Sequence, residues 1–366
     1  MARSGKTGRG KSRTPKARES AEEISPKRAT MMEVARMAGV SQSSVSLVLN
    51  GMTGARISDT TRRRVIETAR EIGYTLPFTR RGAAAGMAGR DTIAYFVDEI
   101  SPNPFPSLSL DGARDAAWEQ GFLVATHVTR SNRQLEGRTI EAIKRDRSLI
   151  GVIYSTIFTR KVALPKALQG MPVVLLNCYT GDPSHMAVVP GEVVGGFNAA
   201  AYLIARGHRR VGFINGEPWM DASADRLIGY RQALATADIP FDPGLVRSGN
   251  WLPLSGHRLT GELLDSANPP TAIFCGNDVM AIGALEAIHE RGLKVPGDIS
   301  IIGYDDHELA RYTHPPLTTV LLPNYDMGRR AAEALIDIAV HGKTPRSRLL
   351  KIDGPVIERA SVGPQR

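Results

Sequence analysis

From Thr30 to Asn50 the chain reads TMMEVARMAGVSQSSVSLVLN, and its apolar positions fall into two short helical stripes. Val34, Met37 and Ala38 recur at three- and four-residue spacing, which predicts a helix with one inward face. Thr30 and Glu33 have capping-box spacing: the threonine hydroxyl can accept from the amide of Glu33 while the glutamate reaches back to the amide of Thr30. Gly39 comes where that helix must stop, a position that often needs left-handed backbone. Ser41 suits the next cap, with Val40 and Val45 placed as a hydrophobic staple. Val45, Val48 and Leu49 then face inward, and Gln42, Ser43, Ser44, Ser46 and Asn50 outward. A third helix is predicted in SDTTRRRVIETAREIGY, capped by Ser58, with Val65, Ile66, Ala69 and Ile72 inside and Gly73 at its end. Three such helices close a small core. A tight turn presents the second helix as a stiff rod, a shape that fits the major groove of B-DNA with its N-terminal residues against base edges. Hydroxyls and amides there would donate to phosphates, and glutamine can read adenine. A helical hairpin with no nucleic-acid role has the same pattern.

From Thr92 the texture changes. The strand-like runs TIAYFV, FLVATHV, LIGVIYST, MPVVLLNC, RRVGFING, TAIFCGN and ISIIGYDD alternate with helical patterns over residues 108–121, 133–147, 196–206, 222–237 and 278–291. This is the rhythm of parallel sheets with helices on both faces. There are too many strands for one comfortable sheet, so two αβ halves are predicted, one to about residue 190 and one over residues 191–320. In open parallel sheets ligands sit beyond the carboxyl ends of the strands, and two such sheets facing each other make a cleft. The stretch between head and core, LPFTRRGAAAGMAGR, carries no core pattern and reads as a connector over residues 76–90, either a linker or a short helix that forms only when a partner orders it.

Charge adds a partner to this picture. The chain of 366 residues carries +9 with a pI near 9.7, which favours an anionic partner. Residues 1–29 form a basic, Gly/Ser/Pro-rich tail expected to be disordered, and either an electrostatic arm on DNA or a solubilising tail fits it. The tail contains a literal GxxxxGK[ST] string from Gly5 to Ser12, rejected as a phosphate loop because no strand precedes it and Arg13-Thr14-Pro15 follows. Cys178 and Cys275 lie inside apolar runs and read as buried free thiols. No run is apolar for long enough to cross a membrane, and no hydrophobic stretch follows the charged N-terminus, so a cytoplasmic protein is expected. The eight histidines make no metal-ligand spacing with the cysteines, so no metal is expected, and His208 reads as structural. Asp98 and Asp305 could be offered as paired catalytic carboxylates. No nucleophile–base set and no cofactor motif accompany them, so neither an enzyme nor a cofactor is expected.

Taken in order, VARMAGVS…VSLVLN, ARISDTTRRRVIETAREIGY, NPFPSLSLDGARDAAWEQGF, LIARGHRRVGFING, DRLIGYRQAL, NDVMAIGALEAI, VPGDISIIGYDD and PPLTTV resemble the lactose-repressor (LacI/GalR) family of bacterial regulators over residues 30–363. The resemblance implies an all-α helix-turn-helix headpiece over residues 30–75 and a hinge over 76–90. It further implies an α/β core over 91–366 like that of periplasmic binding proteins, a two-lobed domain with two doubly wound parallel sheets. Lobe 1 would hold residues 91–190 and 321–351, and lobe 2 residues 191–320 and 352–366, with crossings near Pro190, Leu321 and Ile352. It implies a homodimer on a double-stranded DNA operator, controlled by a small sugar or nucleoside-like effector between the lobes. No leucine heptads follow the last strand, so no tetramer is expected.

Carried over residue by residue, Gln42 and Ser43 would meet base edges, while Thr30, Ser41, Ser44, Ser46 and Asn50 match backbone-contacting positions. Leu47 stands where an arginine often grips guanine and can offer only apolar contact. The hinge lacks the family's leucine wedge. Ala84, Ala85 and Met87 are the candidates, among Gly82, Gly86 and Gly89, which weaken a helix by roughly 1 kcal/mol each. Asp98, Phe105, Ser155, Asn177, Arg226, Trp251, Asn277 and Asp305 match effector positions. Among them Arg226 would offer a fork of donors, Asp305 an acceptor for neighbouring hydroxyls, and Phe105 and Trp251 flat apolar faces. Asp278 is assigned to the cap of the helix that follows it. A solute-binding receptor on the same core is the alternative, with an enzyme behind it.

Overall fold

A computed structural model of the chain describes residues 30–49, 57–74, 89–100, 105–343 and 347–365. Asn50, Ala84, Ala85, Met87 and the Gly5–Ser12 string lie outside the described residues, as does the side chain of Phe105. The chain divides into two compact units, residues 1–79 and 80–366.

The first unit contains α1 (Met31–Ala38), α2 (Gln42–Leu49) and α3 (Asp59–Glu71). Both halves of the capping box form: the amide of Glu33 donates to Thr30 Oγ1 at 3.2 Å and the amide of Thr30 donates to Glu33 Oε2 at 2.8 Å. Gly39 ends α1 at φ 62°, and Ser41 and Ser58 accept from the amides of Ser44 and Thr61. Val34, Ala35, Ala38, Val45, Val48, Val65 and Ala69 form the core, with Val40 packed against it. Met37 departs from the expected stripe: it is half exposed, because the buried face turns toward Ala35.

The second unit opens with β1 (Thr92–Val97), α4 (Phe105–Glu119), β2 (Leu123–Val128), α5 (Arg133–Ile143), β3 (Leu149–Lys161), β4 (Val173–Tyr179) and β5 (Met186–Pro190). A second lobe follows: α6 (Glu192–Ile204), β6 (Val211–Asn215), α7 (Asp221–Thr236), β7 (Val246–Ser248), α8 (Pro253–Leu264), β8 (Ala272–Cys275), α9 (Asp278–Glu290), β9 (Ser300–Asp305) and β10 (Thr318–Leu321). The chain then returns: α10 (Asn324–Ala339) packs on α4, and β11 (Leu349–Ile352) joins the first sheet. It closes with β12 (Val356–Ile357) on the second sheet. The strand orders are β11-β5-β4-β3-β1-β2 and β12-β10-β9-β8-β6-β7. Every pairing is parallel except β10 with β12, an antiparallel edge. Each sheet is covered on both faces, so its strands read as continuous apolar runs.

Both sheets have a topological switch point, where successive connections leave in opposite directions. It falls between β1 and β3 in the first sheet and between β6 and β8 in the second. The carboxyl ends of those strands are where an open αβ sheet forms its crevice.

Candidate functional site

In the first lobe, Asp98 follows the end of β1, Ser155 lies in β3 and Asn177 in β4. Asp98 is buried. Its Oδ1 accepts from the amide of Ile157 at 2.8 Å and its Oδ2 from Arg160 Nη2 at 2.7 Å. Burial raises its pKa, against the pull of the Arg160 charge. β3 bulges where it leaves this register with β4. Asn177, at φ 56°, fastens the bulge: its Nδ2 donates to Thr156 O at 3.0 Å and its Oδ1 accepts from Thr159 at 2.6 Å. Ser155 is buried beside the hydroxyl of Tyr95, which hydrogen-bonds Ser109 at 2.8 Å.

In the second lobe, Arg226 on α7 is the centre. Its guanidinium is buried and stacks on Tyr304 at 3.6 Å, with the Trp251 ring 5.5 Å away. The fork expected to reach a ligand is already taken. Nε and Nη2 donate to the two oxygens of Glu192 at 2.7 and 2.9 Å, and Nη1 donates to the carbonyl of Gly276. Burial weakens this cation, but the charge and hydrogen bonds of Glu192, with Tyr304 and Asp305, together outweigh it and raise the pKa of the guanidinium. Asp305 Oδ1 lies 3.8 Å from Nη2, and no described residue donates a hydrogen bond to its carboxylate. Burial pushes its pKa well up, against Arg226. Asp305 ends β9 at φ 108° and Trp251 sits at φ 66°, so three candidates including Asn177 occupy left-handed backbone, which concentrates at functional sites.

Asn277 is the cap of α9, not Asp278: its Oδ1 accepts from the amide of Met280 at 2.8 Å, and its Nδ2 donates to the carbonyl of Trp251 at 3.1 Å. Asp278 instead turns into the core, accepting from Thr319 Oγ1 at 2.6 Å and from the amide of His307 at 2.7 Å. The fold thus gathers Arg226, Trp251, Asn277 and Asp305 in one lobe and Asp98, Ser155 and Asn177 in the other. Sequence reasoning passed over Glu192 and Arg160. Glu192 had a signal, since it opens the first helix after the Pro190 crossing.

Contacts cross between the lobes. Tyr179 donates to Asp221 at 2.8 Å, Phe158 meets Trp219 edge-on at 5.7 Å, and Lys351 lies 3.9 Å from Asp225. Beside them a cavity of about 310 Å³ is lined by Thr159, Tyr179, Glu192, Asp225 and Lys351 among others, at the lower end of ligand-site volumes. His208 is buried between Thr271, Ser300 and the carbonyl of Gly363, a structural crosslink. Cys178 and Cys275 are buried free thiols, and burial raises both pKa values. Among the described residues no helix is long and apolar enough to cross a membrane.

In the first unit, Ser43 is exposed while Gln42, Ser44, Ser46 and Leu47 are partly buried. Thr30 and Ser41 spend their hydroxyls on the caps.

Residues 30–76 match the model of bacterial regulatory proteins of the lacI family, and residues 200–362 match a periplasmic binding protein-like domain. The HTH-type transcriptional repressor CytR of Escherichia coli (strain K12) is 35% identical over 309 residues, 84% of this chain and 89% of that protein. Among solved structures, a transcriptional regulator CelR–cellobiose complex is 31% identical with a TM-score of 0.64, over 91% of this chain and all of that one. The lac repressor dimer bound to operator and the anti-inducer ONPF aligns with a TM-score of 0.64 at 25% identity, over 92% of this chain and 100% of that one.

Proposed function

The chain belongs to the LacI family of bacterial regulatory proteins, and from that premise we propose that it is a cytoplasmic homodimeric repressor whose hold on its operator is set by a sugar or nucleoside-like effector between the two lobes. Asp305 carries the effector reading. It is a buried carboxylate in left-handed backbone, beside the second sheet's switch-point crevice, and no described residue donates to it. A polyol with two neighbouring hydroxyls supplies the missing donors, and the Trp251 face suits a sugar ring or a base. From the first lobe Asp98, Ser155 and Asn177 close the site, with Phe105 at the start of α4. The cellobiose of the CelR complex is a precedent for such a ligand on this fold.

On DNA, Gln42 and Ser43 open the second helix and read base edges. Ser44, Ser46, Thr30, Ser41 and Asn50 hold backbone, Leu47 touches a thymine methyl, and Ala84 or Met87 serves the hinge. With no arginine on α2, direct readout is thin, and shape and backbone contacts carry more of the recognition. The relatives reported above are transcriptional regulators, which weighs against a receptor or an enzyme.

The test is operator selection from a random duplex pool, followed by mobility shift with a panel of sugars and nucleosides. Asp305→Asn keeps the left-handed backbone, which asparagine tolerates, and removes only the charge. It should bind the selected operator as tightly as wild type while losing at least tenfold in effector response. No sequence preference in the pool, or an unchanged response in Asp305→Asn, would overturn the proposal.

A further inference from the structure

Arg226 is the guanidinium at the centre of the second-lobe site, and its fork is already taken. Of its five N–H groups, Nε and one on Nη2 go to Glu192 at 2.7 and 2.9 Å, and one on Nη1 goes to the carbonyl of Gly276. Tyr304 covers its plane at 3.6 Å. Both members of the Glu192 pair are nearly fully enclosed, with side-chain exposures of 4% and 5%. A bidentate carboxylate fork of this kind is directional and strong, and breaking it leaves a buried charge behind. The second carboxylate, Asp305, stands 3.8 Å from the same guanidinium with no donor of its own. The site therefore sets two carboxyl groups against one guanidinium whose fork Glu192 already fills. In the first lobe Arg160 is likewise bound to a carboxylate, Asp98, at 2.7 Å, and Lys351, which lines the cavity beside Glu192, lies 3.9 Å from its own carboxylate, Asp225.

We infer that Glu192 fixes the charge class of the effector: by occupying the guanidinium of Arg226 it leaves a site that accepts a neutral, hydroxyl-bearing molecule and rejects its phosphorylated or carboxylated counterparts. This rests on reading Arg226 and Asp305 as effector-cleft residues. An anion entering here meets two carboxylates and no free guanidinium, the repulsive half of a specificity device. The attractive half is Asp305, whose bare oxygens suit two hydroxyl donors. Glu192 has the position for this role because it opens α6 directly after the chain crosses from the first lobe, and because α6 and α7 touch closely enough for the pair to close. Without Glu192, the same pocket would present an open guanidinium fork, the geometry that phosphate and carboxylate ligands need.

Inorganic phosphate tests this without knowledge of the effector. Thermal melting of the full chain is compared in sodium phosphate and in sodium chloride of equal ionic strength and pH. Wild type should show only the general rise that phosphate, as a kosmotrope, gives a folded chain, equal to that of Arg226→Gln, and the rises below are counted above it. Glu192→Gln, which removes the charge and keeps the shape, should gain a phosphate-specific rise of about 3 °C at saturation, and Glu192→Gln with Arg226→Gln should not. Glu192→Asp is the second variant if the first does not fold: one methylene shorter, it cannot span both Nε and Nη2, and it should show a smaller rise of the same kind. A phosphate-specific rise in wild type that disappears in Arg226→Gln overturns the inference, as does a folded Glu192 variant with no rise. Neither measurement involves DNA, so failure of the operator experiment above leaves this result standing, and the reverse also holds.

Discussion

Asp278 is wholly buried, yet it keeps its carboxylate between two donors, Thr319 and the amide of His307. Burial nonetheless pushes its pKa up to about 7, ahead of the lowering by those hydrogen bonds. Its folded pKa thus lies above the unfolded value near 4, and the folded chain binds this proton more tightly. The resulting stabilisation is complete below about pH 4 and is lost as pH rises through about 7, by up to about 1.4 kcal/mol per unit. Asp278→Asn removes the titration, and the Thr319 hydroxyl can rotate to accept from the new amide. Thermal melts from pH 5 to pH 8 should fall less steeply in the variant than in wild type. Parallel curves would assign the pH dependence elsewhere, Asp305 being the next group of the same sign. The residue types of this region were legible in sequence, but their roles were not. Asn277 and Asp278 are both good caps in isolation, and only the fold decides that Asn277 caps while Asp278 turns inward. Arg226 stood out in sequence as a candidate for its donors, and Glu192, thirty-four positions away, did not, because a through-space pair leaves no trace in local spacing.

Among helices, three pairs meet at reciprocal glycines. Gly112 and Gly328 join α4 to α10, Gly196 and Gly229 join α6 to α7, and Gly256 and Gly283 join α8 to α9; a methyl on any of the six would lie within 2.4 Å of a backbone oxygen of the partner helix. These contacts draw the backbones together, and the α6–α7 pair brings Glu192 to Arg226. Gly229→Ala would put its methyl 2.0 Å from the carbonyl of Val193, a backbone atom that cannot turn aside. A loss on the order of 1–3 kcal/mol is expected from such overpacking. Gly137→Ala is the contrast: it lies inside α5 with nothing within 4 Å of the added carbon, and should stabilise by up to about 1 kcal/mol through helix propensity alone. Denaturant unfolding of both variants separates the two effects, and equal shifts would remove the packing argument. The same glycines explain what the hydrophobic pattern missed. α8, PLSGHRLTGELL, has too few large apolar residues for a helical stripe, because part of its buried face is Gly256 and Gly261. α10 does carry such a stripe in Met327, Ala331, Leu335 and Ile336, beyond the point where strand–helix alternation ends.

Over the whole molecule, the switch points of the two parallel sheets follow from the order of the elements, which the alternating runs already carried, whereas the three passages of chain between lobes were implied by the family resemblance. What those runs did not carry is how the lobes touch, since Tyr179, Asp221, Lys351 and Asp225 look like surface polar residues in sequence. Charge is distributed just as unevenly. Residues 1–29 hold nine Lys and Arg against three Glu, so +6 of the chain's +9 precedes the first helix and the remaining 337 residues carry +3. On a duplex, each neutralised phosphate releases counterions and adds about 0.9 to the slope of log affinity against log salt. On the proposed reading, a base-reading helix without arginine leans on such contacts, and the basic composition of residues 1–29 would supply them. Deleting residues 1–29 should therefore lower the salt slope on any duplex by about 2 or more, and weaken binding to matched and mismatched sequences alike, because phosphate contacts carry no base information. Fluorescence anisotropy from low to physiological salt measures both quantities. Equal slopes for the full and shortened chains would leave the tail a solubilising segment, with the DNA affinity residing in the three-helix unit.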